Sequence, residues 1–312
     1  MKLRLVALGT TEALIGCCEA WRLHHDVIAI ISMPEAGRPD NSFDLQPYAA
    51  SIAATYLEMA DINAANSIDQ IARLQPDIIY SMWPKLMQDR IIDLPRLGCI
   101  GSHCTALPAN RGRHPLHWTI ALGIEQTAMS FFKMDSGADT GDVLLQVPFG
   151  ITSQHTISDA LATMRAASID GCRQLAQKLA ATARLTGQPQ DHSLANYWRQ
   201  RSLHDTIIDF RMSATAIDRL VRSYCQPFPG AKLLYKDRLI AIDRAIIGTT
   251  ASAAQLANIE PGRILAKGQA SLTVKADDRS IELFPRDAAD LAAIPEKGCI
   301  LPPTAYHLPD SK

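Results

Sequence analysis

Apolar residues in the first half of the chain fall into short unbroken runs, and the segments between several of them carry apolar residues at helical spacing. Leu3 to Leu8 reads LRLVAL and Val27 to Ile31 reads VIAII, as expected of strands buried on both faces. Ala53 to Leu57, Asp77 to Ser81, Gly98 to His103 and Thr127 to Met134 continue the series. Gly9-Thr10-Thr11 turns the first run into a helix through Leu14 and Trp21, and Ile68 to Leu74 predicts another helix. Strands and helices alternating at this spacing predict an α/β fold, a mostly parallel sheet flanked by helices.

The texture then changes. Ile157 to Leu185 predicts one long helix, and Gly187 to Ser193 reads as a linker. Ser213 to Tyr224 predicts a short amphipathic helix with Ser213 as its N-cap. Short apolar runs follow at Ala231 to Tyr235, Leu239 to Ile242, Arg263 to Ala266, Leu272 to Val274 and Ser280 to Leu283. They predict a smaller β-rich, barrel-like domain. The expected division is therefore 1–190 and 191–312.

Composition narrows the classes. A chain of 312 residues with 47% hydrophobic and 20% charged residues can bury a sizeable core. A net charge of −1 gives no overall field toward nucleic acid or an anionic membrane. No window reaches the roughly 18 apolar residues of a membrane span. The opening MKLRLVALGTTEALIG reads as a strand and turn rather than a secretory leader, since Glu12 and Glu19 follow at once. Seven cysteines without a CxxC pair argue against disulfides and a thiolate metal site, and fit a reducing cytoplasm.

The chemistry concentrates between Gly98 and Gln146. His103 stands at the carboxyl end of a central strand, where open α/β sheets bind ligands. A histidine satisfied in a loop is the plainer reading for a lone residue, but His103 has company. The loop Pro108 to Pro115 brings Asn110, Arg111 and Arg113, and Pro115 suits the first turn of a helix through Leu122. Asp135 to Asp142 holds three acids and two glycines, a turn composition whose spacing excludes an EF-hand. One of these carboxylates beside His103 would let the imidazole take and return a proton. Gly9-Thr10-Thr11 is not GxGxxG, so a dinucleotide site has little support. Trp83-Pro84, just past the strand DIIYS, has backbone placed to line a pocket.

Taken together, Gly101-Ser102-His103, Leu107-Pro108, Arg111-Gly112-Arg113-His114-Pro115 and Asp135 to Gly141 resemble the core of the folate-dependent formyltransferases. Tyr197-Trp198-Arg199, Ile208-Asp209-Phe210 and Pro227 to Ala231 are similar to the start of that family's carboxyl-terminal domain. The resemblance implies a Rossmann-like formyltransferase core, 10-formyltetrahydrofolate as co-substrate and an amine as acceptor. It implies His103 as the catalytic histidine and Asp139 as the acid assisting it. The pterin would lie against backbone near Trp83, Lys85 and Met87 and against the turn from Asp135 through Gly137 to Asp139. One position departs from the pattern: Gly101 stands where the family carries an asparagine that donates to the formyl oxygen. Asn110 is the amide favoured to replace it; a backbone N–H, protonated His103 or weak catalysis are the alternatives.

The resemblance covers two acceptor classes, nucleotide-linked amino sugars and methionyl-tRNA. The methionyl-tRNA branch carries a basic insertion after the second strand. Here Ser32 to Asp44 reads SMPEAGRPDNSFD, with Arg38 against Glu35, Asp40 and Asp44, a poor phosphate-binding loop. The expectation is a nucleotide sugar, its phosphates held by Arg111 and Arg113 and its rings stacked on Trp198, Tyr224 or Phe228, although packing is the plainer role for any one of these aromatics. Expected partners are this small molecule and, in a homodimer, a second copy; nucleic acid and membrane are not expected. A folate- or nucleotide-sugar-binding homologue without catalysis is the reading from another class.

Overall fold

The computed structural model describes residues 2–39, 41–249 and 253–305, so Asp40 lies outside the described residues. Strand β1 (Arg4–Gly9) runs into helix α1 (Ala13–Arg22), which buries Leu14, Cys17, Cys18 and Trp21 along one face at helical spacing. The chain continues through β2 (Asp26–Ser32), α2 (Gln46–Ser51), β3 (Thr55–Glu58), α3 (Ala65–Arg73), β4 (Ile78–Met82), α4 (Asp89–Ile92) and β5 (Gly98–His103). A short β6 (Arg111–Gly112), α5 (Pro115–Leu122) and the antiparallel strands β7 (Gln126–Lys133) and β8 (Val143–Gly150) follow. Helix α6 spans Ile157–Thr182, and β9 (Tyr197–Trp198) pairs in parallel with β6.

The seven-stranded sheet has the order β3-β2-β1-β4-β5-β7-β8. Its first five strands are parallel, so the carboxyl ends of β1, β4 and β5 share one edge. One face carries Val6, Leu8, Ala29, Ile31, Ile79 and Cys99 into an apolar core with Ile68 and Ile71 of α3 and Ile91 and Ile92 of α4. Burying one such aliphatic side chain contributes roughly 1.5–3 kcal/mol.

The remaining elements are α7 (Ala214–Tyr224), β10 (Ala231–Tyr235), β11 (Arg238–Ile247), α8 (Ala253–Leu256), β12 (Ile264–Lys267), β13 (Leu272–Lys275) and β14 (Ser280–Pro285). Ser213 caps α7, its hydroxyl accepting from the Ala216 N–H. Strands β10 to β14 form an antiparallel sheet in the order β10-β11-β14-β13-β12, with Ile217, Leu220 and Val221 of α7 in its core. This sheet has two edges, so backbone pairing among the described residues does not close it into a barrel. Two compact units result. The first comprises Met1–Pro115, Gln126–Gly150 and Thr163–Trp198, the second Leu116–Glu125, Ile151–Ala162 and Arg199–Lys312. Among the described residues, no helix is long and apolar enough to cross a membrane.

Three sequence expectations are corrected. The third strand begins at Thr55, because Ala53 takes a left-handed turn at φ 54°. Helix α6 stops at Thr182, before a left-handed Ala183 at φ 50°. Gly187 to Ser193 is not a free linker: Gln188 pairs with Val143 in both directions, and Gln190 is buried.

Candidate active site

β5 ends on His103, whose side chain is 7% exposed. Its Nε2 lies 2.9 Å from the Asn110 carbonyl oxygen. A carbonyl only accepts, so Nε2 carries the proton and the neutral ring has its lone pair on Nδ1. Nδ1 lies 3.6 Å from Asp139 Oδ2, close enough for an ion pair once the ring is protonated. The same Oδ2 accepts from the Gly112 N–H at 3.0 Å. His103 and Asp139, 36 positions apart in sequence, therefore meet as expected.

The loop after β5 supplies the scaffold. Asn110 is left-handed, φ 63°, with its N–H donated to Asn196 Oδ1 at 2.8 Å and its carbonyl accepting from His103 and Thr105. It is thus the backbone of Asn110 that engages His103, while its carboxamide has no hydrogen-bond partner among the described residues. Gly112, at φ 104°, leaves no room for a Cβ, which would collide with the Trp198 carbonyl. That close approach lets β6 lie against β9, and with it sets the N–H that meets Asp139.

Gly101 is crowded for a different reason, by side chains rather than backbone. Antiparallel pairing places Phe132 directly opposite it, on the face that carries His103. A Cβ at position 101 would lie 2.7 Å from Phe132 Cζ and 3.0 Å from Met134 Cγ. Phe132, 4% exposed, fills the space that a larger side chain at 101 would need. Its register could not be read from the sequence, because the hairpin pairing decides it.

Other expected site residues take varied positions. Arg111 is only 1% exposed, so it is not placed to hold a ligand's phosphate. Its guanidinium donates to Tyr197 Oη at 2.9 Å and Gln190 Oε1 at 2.7 Å and faces His192 Nδ1 at 3.3 Å. Arg113 is exposed, with one N–H 3.4 Å from the Pro84 carbonyl. The Met87 side chain is buried and accepts from Ser81 Oγ through its sulfur at 3.3 Å, so it belongs to the core and only its backbone is left to meet a ligand. Trp83 is half-buried; its backbone N–H meets Ser81 Oγ at 3.3 Å, and its indole Nε1 is buried without a partner. Lys85 is exposed. Asp135 is exposed and serves its own turn, accepting from the Gly137 N–H at 3.1 Å and Thr140 Oγ1 at 2.5 Å. Trp198 belongs to β9, half-buried. In the second unit Tyr224 is stacked against Arg201 at 4.5 Å and His117 at 4.8 Å, so its ring is already engaged within that unit. Among the described residues no group of three His, Cys, Asp or Glu side chains is placed to hold a metal ion.

Two residues with a part in the site carry no sequence signal of it. Phe132 is one, and Gln190 is the other: its Nε2 donates to the carbonyls of Asp139 and Gly141 at 2.9 and 2.7 Å. Nothing in GQPQDHS distinguishes that glutamine from a surface one.

Comparison with known proteins places the chain in a family. Residues 7–172 match the formyl transferase family and 202–285 match the formyl transferase C-terminal domain. A methionyl-tRNA formyltransferase of Geobacter sulfurreducens is 28% identical over 291 residues, covering 89% of this chain and 87% of its own. An N-formyltransferase from Helicobacter canadensis, solved with folinic acid and dTDP-3-aminofucose, superimposes with TM-score 0.67 at 13% identity, over 91% of this chain and all of that one (100%). A methionyl-tRNA formyltransferase from Clostridium thermocellum superimposes with TM-score 0.56 at 18% identity, over 80% of this chain and 94% of that one.

Proposed function

We propose that this chain, which belongs to the formyl transferase family, passes the formyl group of 10-formyltetrahydrofolate to the amine of a nucleotide-linked amino sugar. The co-substrate supplies a formyl carbon that is electrophilic toward an amine. A feature of the site fits its heteroaromatic ring: the buried indole N–H of Trp83 has no acceptor among the described residues, and a ring acceptor would satisfy it. Arg113 is exposed and available to a phosphate.

His103 supports the transfer chemistry. Its Nδ1 can take a proton from the attacking amine, Asp139, held by the Gly112 N–H, faces the imidazolium that results, and the same proton can pass to the tetrahydrofolate nitrogen as its bond to the formyl carbon breaks. Asn110 supplies the donor to the formyl oxygen that Gly101 cannot. Its backbone is held at both N–H and carbonyl, leaving the carboxamide free for that task.

The acceptor choice is carried by one observation. Arg38, the only basic residue between 32 and 44, is spent on Glu58 at 2.6 Å and on the Met33 carbonyl at 2.6 Å. No cation of that loop is left for a polynucleotide backbone. Methionyl-tRNA is the second reading, favoured by the name and coverage of the Geobacter relative.

Purified protein incubated with 10-formyltetrahydrofolate and a panel of nucleotide amino sugars, beside charged initiator tRNA, separates the readings by the mass of the formylated product. Sugar formylation is expected. Formylated tRNA alone overturns the acceptor choice, and folate binding without any product overturns the catalytic reading. Asn110→Ala is expected to lower turnover about a hundredfold or more, as loss of one oxyanion donor does elsewhere. Unchanged turnover would remove Asn110 from that role.

A further inference from the structure

We propose that Gln190 is a positioning residue that aims the Asp139 carboxylate at His103; the inference rests on reading that pair as the reacting one. Gln190 is 8% exposed, and its carboxamide is engaged at both ends. Both hydrogens of Nε2 go to backbone, the carbonyls of Asp139 at 2.9 Å and Gly141 at 2.7 Å. Oε1 accepts from Arg111 at 2.7 Å. Two carbonyls at one end and a guanidinium at the other leave a single way to orient the amide.

This geometry acts where the turn is under strain. Asp139 is left-handed, φ 57°, which a non-glycine residue adopts at a cost. Two carbonyls converging on one amide hold it there. From that backbone Oδ2 reaches the Gly112 N–H at 3.0 Å and faces His103 Nδ1 at 3.6 Å. Gly112 directly follows Arg111, so the same glutamine ties down both the acid and the strand that orients it. A carboxylate at position 190 would keep the Arg111 contact but set anionic oxygen against two carbonyl oxygens. Only glutamine serves both sides.

Gln190→Glu is therefore the selective variant. It retains the link to Arg111, so folding is expected to survive, and melting temperature monitors this. Turnover is expected to fall about tenfold or more with KM within about twofold, the signature of a misaimed catalytic group. The activity-independent readout is the Gly112 amide resonance, which reports the Asp139 Oδ2 contact. It is expected to move in the same direction in Gln190→Glu and Asp139→Asn, with no further movement in the double variant. Gln190→Met, which lacks the added charge, is expected to move it likewise. A Gly112 resonance unmoved in both Gln190 variants, or fully additive losses of turnover in the double variant, would overturn the inference. Absence of formyl transfer by the unaltered chain would instead count against the proposed function, and the amide resonance would still decide the role of Gln190.

Discussion

Two polar clusters in this chain are built from similar residues and are equipped for different tasks. Around His103 in the first unit, backbone and side-chain hydrogen bonds from Asn110, Gly112 and Gln190 hold a histidine and an acid in place, with His103 Nδ1 facing Asp139 at 3.6 Å rather than tied into a hydrogen bond. Around Trp118 in the second unit the cations are already engaged. Arg199 and Arg201 lie 5.3 and 4.8 Å from the Trp118 ring, Arg201 also faces Tyr224, and Arg199 pairs with Asp205. His117 meets the Ser223 carbonyl through Nδ1 at 2.6 Å and packs edge-on to Phe228 at 4.4 Å. The first cluster keeps groups that the proposed reaction would use, and the second commits its groups to cohesion.

The sharpest test of that contrast is a histidine removed from each. His103→Ala is expected to lower turnover about a thousandfold, within the range of lost general-base catalysis, with little change in melting temperature. His117→Ala is expected to do the reverse, lowering the melting temperature while turnover per folded molecule stays within about twofold. Steady-state kinetics and thermal unfolding of both variants check this. Comparable losses of turnover in the two would erase the distinction.

A smaller effect is expected from the cation shared by two rings. Arg201→Met keeps the aliphatic packing of a side chain that is 5% exposed but removes both cation–π contacts. About 2 kcal/mol of stability should be lost, measured by urea unfolding, with KM for the acceptor unchanged. A KM raised tenfold would instead make this stack part of an acceptor site and restore the ligand role expected of Tyr224.

The sequence shows the first cluster better than the second, for physical reasons. β5 and β10 begin and end where their apolar runs do, and Ser213 caps its helix as its hydroxyl predicts, because these features are local. His103 and Asp139 could be paired because each ends a readable element. β8 leaves no such mark: its burial alternates along an edge strand that includes Pro148, so it lacks the unbroken apolar run of the central strands. Arg111 looked like a phosphate ligand because nothing local reveals that Gln190, His192 and Tyr197 fold over it. The partner of Gly101 is likewise set by hairpin register, which composition does not specify.

The smallest expected effect concerns the edge of the second cluster. The Arg199 guanidinium holds the Asp205 carboxyl well below the usual carboxylate range; burial opposes this, and the Ser202 N–H and hydroxyl assist. The folded state thus favours the ionised form, so the contribution is present above the unfolded carboxyl value of about 3.9 and fades as pH falls toward the lower folded value. Urea unfolding of the unaltered chain and Asp205→Asn should accordingly differ at pH 7, with the gap starting to narrow only below about pH 4. His103 and Asp139 take no part in that difference, so turnover of Asp205→Asn at pH 7 should match that of the unaltered chain. A stability gap that instead widened toward acid would mean that Asp205 is held by its neutral form, and the second cluster would no longer be the one whose charges are fully committed.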